Sequence, residues 1–269
     1  MLNLKIESLK TGYGGNPILN DLTLSLKRGK VTSIIGPNGC GKSTLLKSIG
    51  RILKPSGGGI YLEGEDVFRM ETRELAKKLA ILPQSPIAPA GISVAELVAY
   101  GRFPHQSGLR KLTSRDYDIV NWAIGATGLD SIREKEVDAL SGGQRQRVWI
   151  AMALCQQTDI ILLDEPTTYL DMAYQLEVLQ LLESLNQTYG TTIVMVLHDL
   201  NLASRVSHEM IAMRSGEIVK AGTPDEVMTV ETLRAVYDIE AHIVRDAVTG
   251  AKVCQSYKLR DRKLERIGA

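Results

Sequence analysis

A glycine-rich stretch near the N-terminus has the residue types needed to bind phosphate groups. Residues 36 to 44 read GPNGCGKST and match the pattern GxxxxGK[ST], in which glycines let the backbone wrap closely around phosphate oxygens. The charge of Lys42 suits the β and γ phosphates of a nucleotide, Ser43 a bound Mg2+, and Thr44 the α phosphate. We predict a nucleotide-binding loop formed by Gly36, Pro37, Asn38, Gly39, Cys40, Gly41, Lys42, Ser43 and Thr44.

Two adjacent carboxylates end a later apolar run, DIILLDEP, at residues 159 to 166. Asp164 lies at the end of this run, a position from which a carboxylate can hold Mg2+ directly or through water. Glu165 adds a carboxylate that the metal does not require, so we predict that it orients and deprotonates an attacking water. The alternative for Glu165 is a carboxylate that complements the dipole at the start of a helix.

Three further side chains could take part in the same chemistry, although each also has an ordinary structural explanation. His198 follows the apolar run IVMVL and could donate a hydrogen bond to a γ phosphate or contact the water, or it could lie near a helix cap. The ring of Tyr13 could stack on an adenine or pack on a hairpin. Gln84, in ILPQS, is by itself typical of a turn.

A second helix start suited to anions follows about 100 residues after the first. In ALSGGQRQRVWIAMAL, residues 139 to 154, Ser141 and Gln144 have the spacing of a capping box. Gly142 and Gly143 would leave their backbone amides open beside the positive end of the helix dipole. An ordinary N-cap on a buried helix explains these residues equally well, so the motif alone leaves both interpretations open.

Apolar runs and periodicities indicate the elements that position these residues. The segments VTSIIG, DIILLDEP and TTIVMVLHD are apolar throughout, which is typical of parallel strands covered on both faces. LNLKIESL and LTLSLKRG alternate, which predicts a β-rich opening with a turn at TGYGGNP. EMIAMRSGEIVKAG predicts a hairpin turning at Ser215 and Gly216, and the segment after residue 172 predicts an amphipathic helix that ends at Gly190.

These patterns predict an α/β fold in which helices interrupt a nucleotide-binding core. The core comprises residues 1–90 and 159–240 and contains a mostly parallel sheet, an N-terminal antiparallel β region, and the helix KSTLLKSIGRIL after the first glycine-rich loop. Residues 91–158 carry helical spacing and form an inserted helical subdomain, and residues 241–269 form a C-terminal extension. We expect all 269 residues to form one domain of this kind.

The composition is that of an ordinary globular protein. Apolar residues account for 44% and charged residues for 23%, and a formal net charge of +1 gives no reason to expect nucleic acid as a partner. The longest apolar run, VWIAMALC, has eight residues. This is far below the roughly 20 residues that span a bilayer as a helix. The N-terminus lacks the basic and apolar regions of a signal peptide, which predicts a cytoplasmic location.

Taken in order, the motifs resemble those of the ATPase subunit of an ATP-binding cassette (ABC) transporter. The resemblance covers roughly residues 2 to 237 and rests on Tyr13, GPNGCGKST, Gln84, LSGGQ, IILLDEP, TTYLD and His198. YGRFPHQ at 100 to 106, TTYLDMAYQLEVLQLLESLN and VLHDLNLA are most similar to ATPases of bacterial iron(III)-siderophore importers. Cys155 and His208 depart from relatives, which often have Ala and Asp there, and neither lies at the expected chemistry.

The resemblance implies an enzyme that hydrolyses ATP with Mg2+ as its cofactor. It assigns catalytic roles to Lys42, Glu165, His198 and Gln84, the last of which would also sense the nucleotide. Ser43, Gln84 and Asp164 would hold Mg2+.

The resemblance also explains the second helix start. Two copies of the chain would pair head to tail, so that Ser141, Gly142, Gly143 and Gln144 of one copy close over the γ phosphate of ATP held by the other. Asp171, in TTYLD, resembles the residue that crosses this interface. From the residues alone, closure within a single chain stays an open alternative.

Further partners follow from the same resemblance. Integral membrane permease subunits would insert a short helix into a groove beside the helical subdomain, and an external substrate-binding protein would act indirectly. The chain would then be a peripheral subunit on the cytoplasmic face of a bacterial cell membrane. The alternatives are the ATPase of a haem or cobalamin importer or of a lipid or drug exporter, and a soluble ABC ATPase that transports nothing, such as one for iron-sulfur cluster assembly.

Three cysteines, Cys40, Cys155 and Cys254, are far apart in the sequence and share no CxxC spacing, which argues against disulfides and a zinc site. Cys40 lies inside the glycine-rich loop, where a helix N-terminus would favour its thiolate; a small filler residue is the alternative. The thiolate interpretation predicts that alkylation of Cys40 abolishes ATP hydrolysis and that bound MgATP protects the residue.

Overall fold

The structure is a computed structural model that describes residues 3–106 and 111–260. Its strands are β1 (Asn3–Tyr13), β2 (Asn16–Lys27), β3 (Val31–Ile35), β4 (Gly57–Leu62), β5 (Glu65–Asp66), β6 (Leu79–Leu82), β7 (Ile160–Asp164), β8 (Thr192–Val196), β9 (Glu209–Arg214), β10 (Glu217–Gly222), β11 (Ile239–Arg245) and β12 (Lys252–Leu259). Its α-helices are α1 (Lys42–Ile49), α2 (Thr72–Lys78), α3 (Val94–Ala99), α4 (Ser114–Ala126), α5 (Gly142–Cys155), α6 (Met172–Tyr189), α7 (Leu200–Val206), α8 (Pro224–Val227) and α9 (Val230–Tyr237). Short 3-10 helices cover Tyr100–His105, Asp130–Ile132 and Val137–Ala139.

The central sheet has the strand order β10-β9-β3-β8-β7-β6. The pairs from β9 across to β6 are parallel, and every residue of β3, β7 and β8 is buried, as strands that are apolar on both faces require. β9 and β10 form an antiparallel hairpin whose turn residues, Ser215 and Gly216, have φ angles of 49° and 83°. The predicted α/β fold, the mostly parallel sheet and the hairpin turn are confirmed.

A second sheet, β2-β1-β4-β5, is antiparallel and covers one side of the molecule. β1 and β2 turn at Gly14 and Gly15, within the predicted TGYGGNP segment. Helix α1 lies between the two sheets, because Leu45 belongs to one apolar cluster with Ile6 of β1 and Val194 of β8. This packing places the residues that precede α1 at the junction of the two sheets.

Helices α3, α4 and α5 pack together on the other side of the central sheet, in a second apolar cluster. A buried ion pair ties them to the 3-10 helix at 100–105. The guanidinium Nε of Arg102 lies 2.9 Å from a carboxylate oxygen of Asp116, and its Nη1 donates to the carbonyl oxygen of Cys155 at 2.8 Å. The helical content predicted for residues 91–158 is present, and the exact division of the chain into subdomains stays a prediction.

Helix α1 is shorter than the predicted KSTLLKSIGRIL and ends at Ile49. The N–H of Gly50 closes the last turn on the carbonyl oxygen of Leu46, and Arg51 then adopts a left-handed φ of 60°. A Cβ atom at Gly50 would lie 2.6 Å from Cδ1 of Ile81, so a larger residue at the end of α1 would require this side chain of β6 to shift. By contrast, α6 ends at Gly190, with φ of 67°, as predicted.

The C-terminal extension contains an antiparallel hairpin, β11 paired with β12, that the sequence analysis did not predict. The predicted start of the extension, residue 241, falls inside β11. Residues 261–269, the last part of this extension, lie outside the described residues. Within the described part of the chain, no helix combines the length and the apolar content needed to cross a bilayer.

Candidate nucleotide-binding and catalytic site

A cleft of about 420 Å³ opens at the edge of the central sheet where the parallel strands end. Loop 36–41 follows β3, Gln84 follows β6, Glu165 follows β7 and His198 follows β8, so the parallel order brings these residues to one edge. The lining residues are Ile18, Asn38, Gly39, Gly41, Lys42, Ser43, Thr44, Gln84, Glu165, Thr168, Tyr169 and His198.

The glycine-rich loop has a backbone path that side chains would block. Gly36 has φ of 152°, and a Cβ atom there would lie 2.3 Å from the carbonyl oxygen of Met213. The ammonium group of Lys42 donates to the carbonyl oxygens of Gly36 at 2.8 Å and of Pro37 at 3.0 Å. The loop therefore wraps around the ammonium group of Lys42, the group predicted to bind the phosphates.

Two of the three residues expected to hold Mg2+, Ser43 and Asp164, are in direct contact. The hydroxyl of Ser43 donates to Oδ1 of Asp164 at 2.8 Å. Burial raises the pKa of Asp164, and the hydrogen bond from Ser43 acts in the opposite direction. The carboxylate is thus desolvated at the end of β7, where a positive partner would stabilise it most.

Glu165 is the centre of a cluster of side chains. The amide nitrogen of Gln84 donates to its Oε2 at 2.5 Å, the hydroxyl of Thr168 donates to the same oxygen at 3.0 Å, and Nε2 of His198 lies 2.6 Å from Oε1. Glu165 itself has a left-handed φ of 55°, which is unusual for a residue other than glycine. Such a backbone is typical of functional sites, where surrounding contacts stabilise the strained conformation.

The nearest helices bear on the ordinary explanations for two of these residues. Glu165 does not lie in the first turn of a helix, because the next helix, α6, begins at Met172. His198 does lie beside a helix cap, but the capping group of α7 is the carboxylate of Asp199, which accepts the N–H groups of Asn201 and Leu202 at 2.8 and 2.9 Å.

Sequence reasoning missed three residues of the cleft, Ile18, Thr168 and Tyr169. Thr168 lies three residues after Glu165, and its N–H donates to the carbonyl oxygen of Glu165 at 3.2 Å, so the turn spacing was a usable signal. Ile18 comes from β2, far away in sequence, and had no signal. Tyr13, proposed to stack on adenine, ends β1 at 47% exposure and is not part of the described lining.

The second helix start has the predicted capping box. The N–H of Gln144 donates to the hydroxyl of Ser141 at 3.3 Å, and the N–H of Ser141 donates to Oε1 of Gln144 at 3.2 Å. Gly143 has a further reason to be glycine, because a Cβ atom there would lie 2.8 Å from the ring of Tyr174. The described lining of the cleft includes no residue from 141 to 144, so the two helix starts do not share a cleft within one chain.

Asp171 and Cys40 have roles within the chain. The carboxylate of Asp171 caps α6 by accepting the N–H of Tyr174 at 3.1 Å. Cys40 is only 3% exposed and belongs to the apolar cluster that contains Leu45. Burial raises the pKa of its thiol, and the charge of Lys42 offsets this only in part. The expectation that the helix N-terminus favours the thiolate of Cys40 is therefore wrong.

The chain is similar in sequence and in structure to known ATP-binding proteins. The profile of the ABC transporter family matches residues 19–168. The iron(3+)-hydroxamate import ATP-binding protein FhuC of Bacillus subtilis is 54% identical, over 96% of this chain and 96% of that protein. The ferric enterobactin transport ATP-binding protein FepC of Escherichia coli is 44% identical, over 92% and 91%. The dimeric post-hydrolysis structure of the ATP-binding cassette MJ0796, bound to ADP and Pi, superposes with a TM-score of 0.71 at 29% identity, over 82% of this chain and 98% of that chain.

Proposed function

Because this chain belongs to the ABC transporter family as an ATP-hydrolysing subunit, we propose that it powers the import of iron(III)-siderophore complexes. The observation that carries the proposal is the nearly full-length similarity to two ATP-binding proteins whose names specify iron(3+)-hydroxamate import and ferric enterobactin transport. These relatives are named for different ferric chelates. The proposal therefore specifies iron(III)-siderophore complexes as a class and does not specify one siderophore.

The nucleotide would bind across the mouth of loop 36–41. Backbone amides of the loop face the phosphates, and Lys42 exchanges its two carbonyl partners for phosphate oxygens. Thr44 lines the same cleft and is placed for the α phosphate. The exposed ring of Tyr13, at the end of β1, would stack on the adenine, and Ile18, already in the lining, offers the base an apolar contact.

The residues present fit a magnesium ion. Ser43 and Asp164 supply a hydroxyl and a desolvated carboxylate oxygen at 2.8 Å from each other, and hard cations such as Mg2+ prefer oxygen ligands. Gln84 would contribute its amide oxygen. When bound, Mg2+ would neutralise charge on the β and γ phosphates.

Hydrolysis needs a water molecule held and deprotonated beside the γ phosphate. Glu165 is the group placed to accept the proton, because its carboxylate faces the cleft and Gln84 and Thr168 fix its orientation. His198, in contact with the other carboxylate oxygen, would hydrogen-bond the γ phosphate or the water.

A second copy of the chain would complete the site. Within one chain the start of α5 is separate from the cleft, so the amides of Gly142 and Gly143 and the hydroxyl of Ser141 are free to close over ATP held by a partner. Asp171 lies on the same exposed face as Tyr169 and Met172, which are 90% and 79% exposed. These side chains would be covered in a head-to-tail dimer, in which the γ phosphate acts as the bridge.

A different surface would receive the membrane permease. Tyr100 and Phe103 stack at 4.8 Å between ring centroids beside the helical region, and Ile87, three residues after Gln84, is 91% exposed. Exposed apolar side chains of this kind are typical of a docking site. Gln84 would pass the state of the nucleotide to this surface. The chain would thus be peripheral on the cytoplasmic side, with an external substrate-binding protein acting through the permease.

The first test compares the wild type with Glu165→Gln. We expect ATP hydrolysis to fall about 100-fold to 10,000-fold, because the general base is lost while nucleotide contacts remain. Light scattering with MgATP should detect a dimer of the variant that persists. A variant that hydrolyses ATP at the wild-type rate, or that stays monomeric with MgATP, would contradict the proposed base or the shared site, respectively.

The substrate class needs a separate test in cells. A strain that lacks this subunit should lose uptake of radioactive iron supplied as a ferric hydroxamate, and the wild-type gene should restore it. The gene for Glu165→Gln should not. Restored uptake of haem or cobalamin, with ferric chelate uptake unaffected by the deletion, would overturn the siderophore assignment and leave the ATPase assignment intact.

A further inference from the structure

The C-terminal hairpin is attached to the first turn of α7 by a pair of hydrogen bonds from a single side chain. The amide nitrogen of Asn201 donates to the carbonyl oxygen of Cys254 at 3.2 Å, and its amide oxygen accepts the N–H of Cys254 at 2.8 Å. Asn201 therefore satisfies both backbone groups of one residue of β12. This clasp holds α7 and the hairpin in a fixed relation.

Asn201 lies three residues after His198, and the loop between them is held at both ends. Upstream, the N–H of Leu197 donates to the carbonyl oxygen of Ile34 at 3.2 Å, which fixes the end of β8 against β3. Downstream, the capping of α7 by Asp199 joins the loop to the first turn that Asn201 clasps. The side chain of His198 is 44% exposed, and its Nε2 atom contacts Oε1 of Glu165. The placement of this ring against Glu165 therefore depends on where the two ends of the loop are held.

The hairpin and the His198 loop line one cavity of about 450 Å³, which has His198, Asn201, Tyr237 and Cys254 in its walls. His198 also lines the cleft, so it lies between the two spaces. Burial raises the pKa of Tyr237, and the backbone amide of Gly36 acts in the opposite direction, which places this hydroxyl beside the start of the glycine-rich loop. Cys254 also shares an apolar cluster with Leu200 and Ala203 of α7, so the hairpin packs on this helix, and the clasp adds the directional polar contact that fixes their relative position.

We propose that the hairpin β11–β12 is a positioning element for His198, and that Asn201 transmits its hold through the clasp on Cys254. The inference rests on the catalytic role proposed above for His198. Asn201 does not line the cleft itself, so it acts on the position of His198 and not on the substrate. Displacement of a catalytic group by about 1 Å can cost about 100-fold in rate.

The test measures steady-state ATP hydrolysis, MgATP affinity and thermal unfolding of the full chain in four variants. Asn201→Ala removes both hydrogen bonds and should lower kcat about 10-fold to 100-fold, with KM for ATP within about twofold of wild type, because most contacts to the nucleotide come from loop 36–41 and not from His198. Asn201→Asp keeps the acceptor for the N–H of Cys254 and loses the donor, so its kcat should be intermediate. His198→Ala sets the lower limit.

The matched control is Arg245→Ala. Arg245 ties β11 to Asp225 of α8 at 2.9 Å, away from the His198 loop, so its loss loosens the hairpin without releasing the clasp. We expect its kcat to stay within about twofold of wild type. An equal loss of kcat in Arg245→Ala and Asn201→Ala would show general loosening and overturn the inference.

Two other results separate this inference from the proposed function. If His198→Ala is impaired while Asn201→Ala and Asn201→Asp keep the wild-type kcat, the inference fails and the role of His198 stands. If His198→Ala keeps the wild-type kcat, the role of His198 fails and the inference falls with it. Should Asn201→Ala not fold, the kcat of Asn201→Asp decides the outcome by the same criteria.

Discussion

The Nε2 atom of His198 lies 2.6 Å from Oε1 of Glu165, opposite the oxygen that accepts hydrogen bonds from Gln84 and Thr168. One carboxylate thus joins the loops that follow β6, β7 and β8. A change at any of these loops alters the environment of the same group. The rate of hydrolysis should therefore be sensitive to residues that never contact the nucleotide.

Thr168→Val tests this sensitivity most directly. The substitution keeps the shape of the side chain and removes the hydroxyl that orients Glu165. Loss of one hydrogen bond to a charged group, about 1.5 kcal/mol, predicts about a tenfold fall in kcat for ATP hydrolysis with little change in KM. Thr167→Val is the control, because its hydroxyl is not among the described contacts of Glu165, and an equal effect in both variants would refute the prediction.

Gly143→Ala and Gly142→Ala should differ in stability although the residues are neighbours at one helix start. An added Cβ at Gly143 would meet the ring of Tyr174 at 2.8 Å, whereas at Gly142 the nearest contact is Leu170 at an ordinary 3.6 Å. We expect Gly143→Ala to lower the free energy of unfolding by about 1–3 kcal/mol and Gly142→Ala to leave it within about 1 kcal/mol. Urea unfolding monitored by circular dichroism measures both, and equal midpoints would contradict the packing argument.

Arg102→Met should be the most destabilising of these changes, because it leaves the Asp116 carboxylate buried without its cation. Removing one partner of a buried ion pair typically costs about 3–5 kcal/mol. Arg133→Met, which breaks an exposed ion pair with Glu134, should cost less than about 1 kcal/mol. Urea unfolding at neutral pH compares the two, and similar losses would show that burial does not set the difference.

The same pair predicts a loss of stability in acid. Burial raises the pKa of Asp116, but hydrogen bonds from Thr113 and Arg102 outweigh it and lower the pKa to about 2. A carboxyl group with a lowered pKa in the folded state stabilises the protein above its unfolded pKa of about 3.9 and loses that contribution as the pH falls toward 2. In the Arg102→Met variant, part of this acid-dependent loss should disappear from the unfolding free energies.

Much of this architecture could be predicted because local residue types determine it. The apolar strands, the capping box at Ser141 and the left-handed end of α6 at Gly190 depend on neighbours within a few residues. The cluster around Glu165 forms because the loops after three parallel strands meet at one edge of the sheet. The sequence motifs predicted that these loops meet, but they did not predict which side chains contact Glu165. The hairpin β11–β12 escaped prediction because β11 is half-buried, β12 is mostly exposed, and neither carries a clear alternation. For Cys40 the buried side chain fits the small-filler alternative and not the thiolate, and the sequence could not decide between them because that burial involves β1 and β2, which are distant in sequence.

His208 should make stability fall under mildly acidic conditions. The N–H of Val31 donates to Nδ1 of His208 at 3.1 Å, which requires a neutral ring, and burial followed by the charge of Lys30 lowers the pKa of His208. A lowered folded pKa means that stability is complete above the unfolded value of about 6.5 and declines as the pH drops below it. His208→Asn retains an acceptor, so its unfolding free energy should decline less between about pH 8 and about pH 5.5. An equal decline in the wild type and in His208→Asn would show that His208 does not cause the loss of stability in acid.

Cys40 should react slowly with thiol reagents in the folded protein. Its side chain is buried and burial raises the pKa of the thiol, so both access and thiolate population are low. We expect maleimide labelling of Cys40, followed by mass spectrometry of peptides, to be at least about tenfold slower than in urea. Labelling should depend little on MgATP. Rapid labelling that MgATP blocks would restore the thiolate interpretation.

The strand order of the central sheet has a consequence for synthesis on the ribosome. β3 pairs with β8 and β9, and β6 pairs with β7, so no parallel pair among the described strands can form before residue 160 has been made. At about 5–20 residues per second, the roughly 157 residues between β3 and its first partner, β8, take about 8 to 31 s to translate. During that interval the apolar strand β3 has no partner in its own sheet. By then β1, β2 and β4 have been made, and their sheet shares an apolar cluster with β3. This early sheet therefore protects one face of β3 from solvent while the rest of the chain is synthesised.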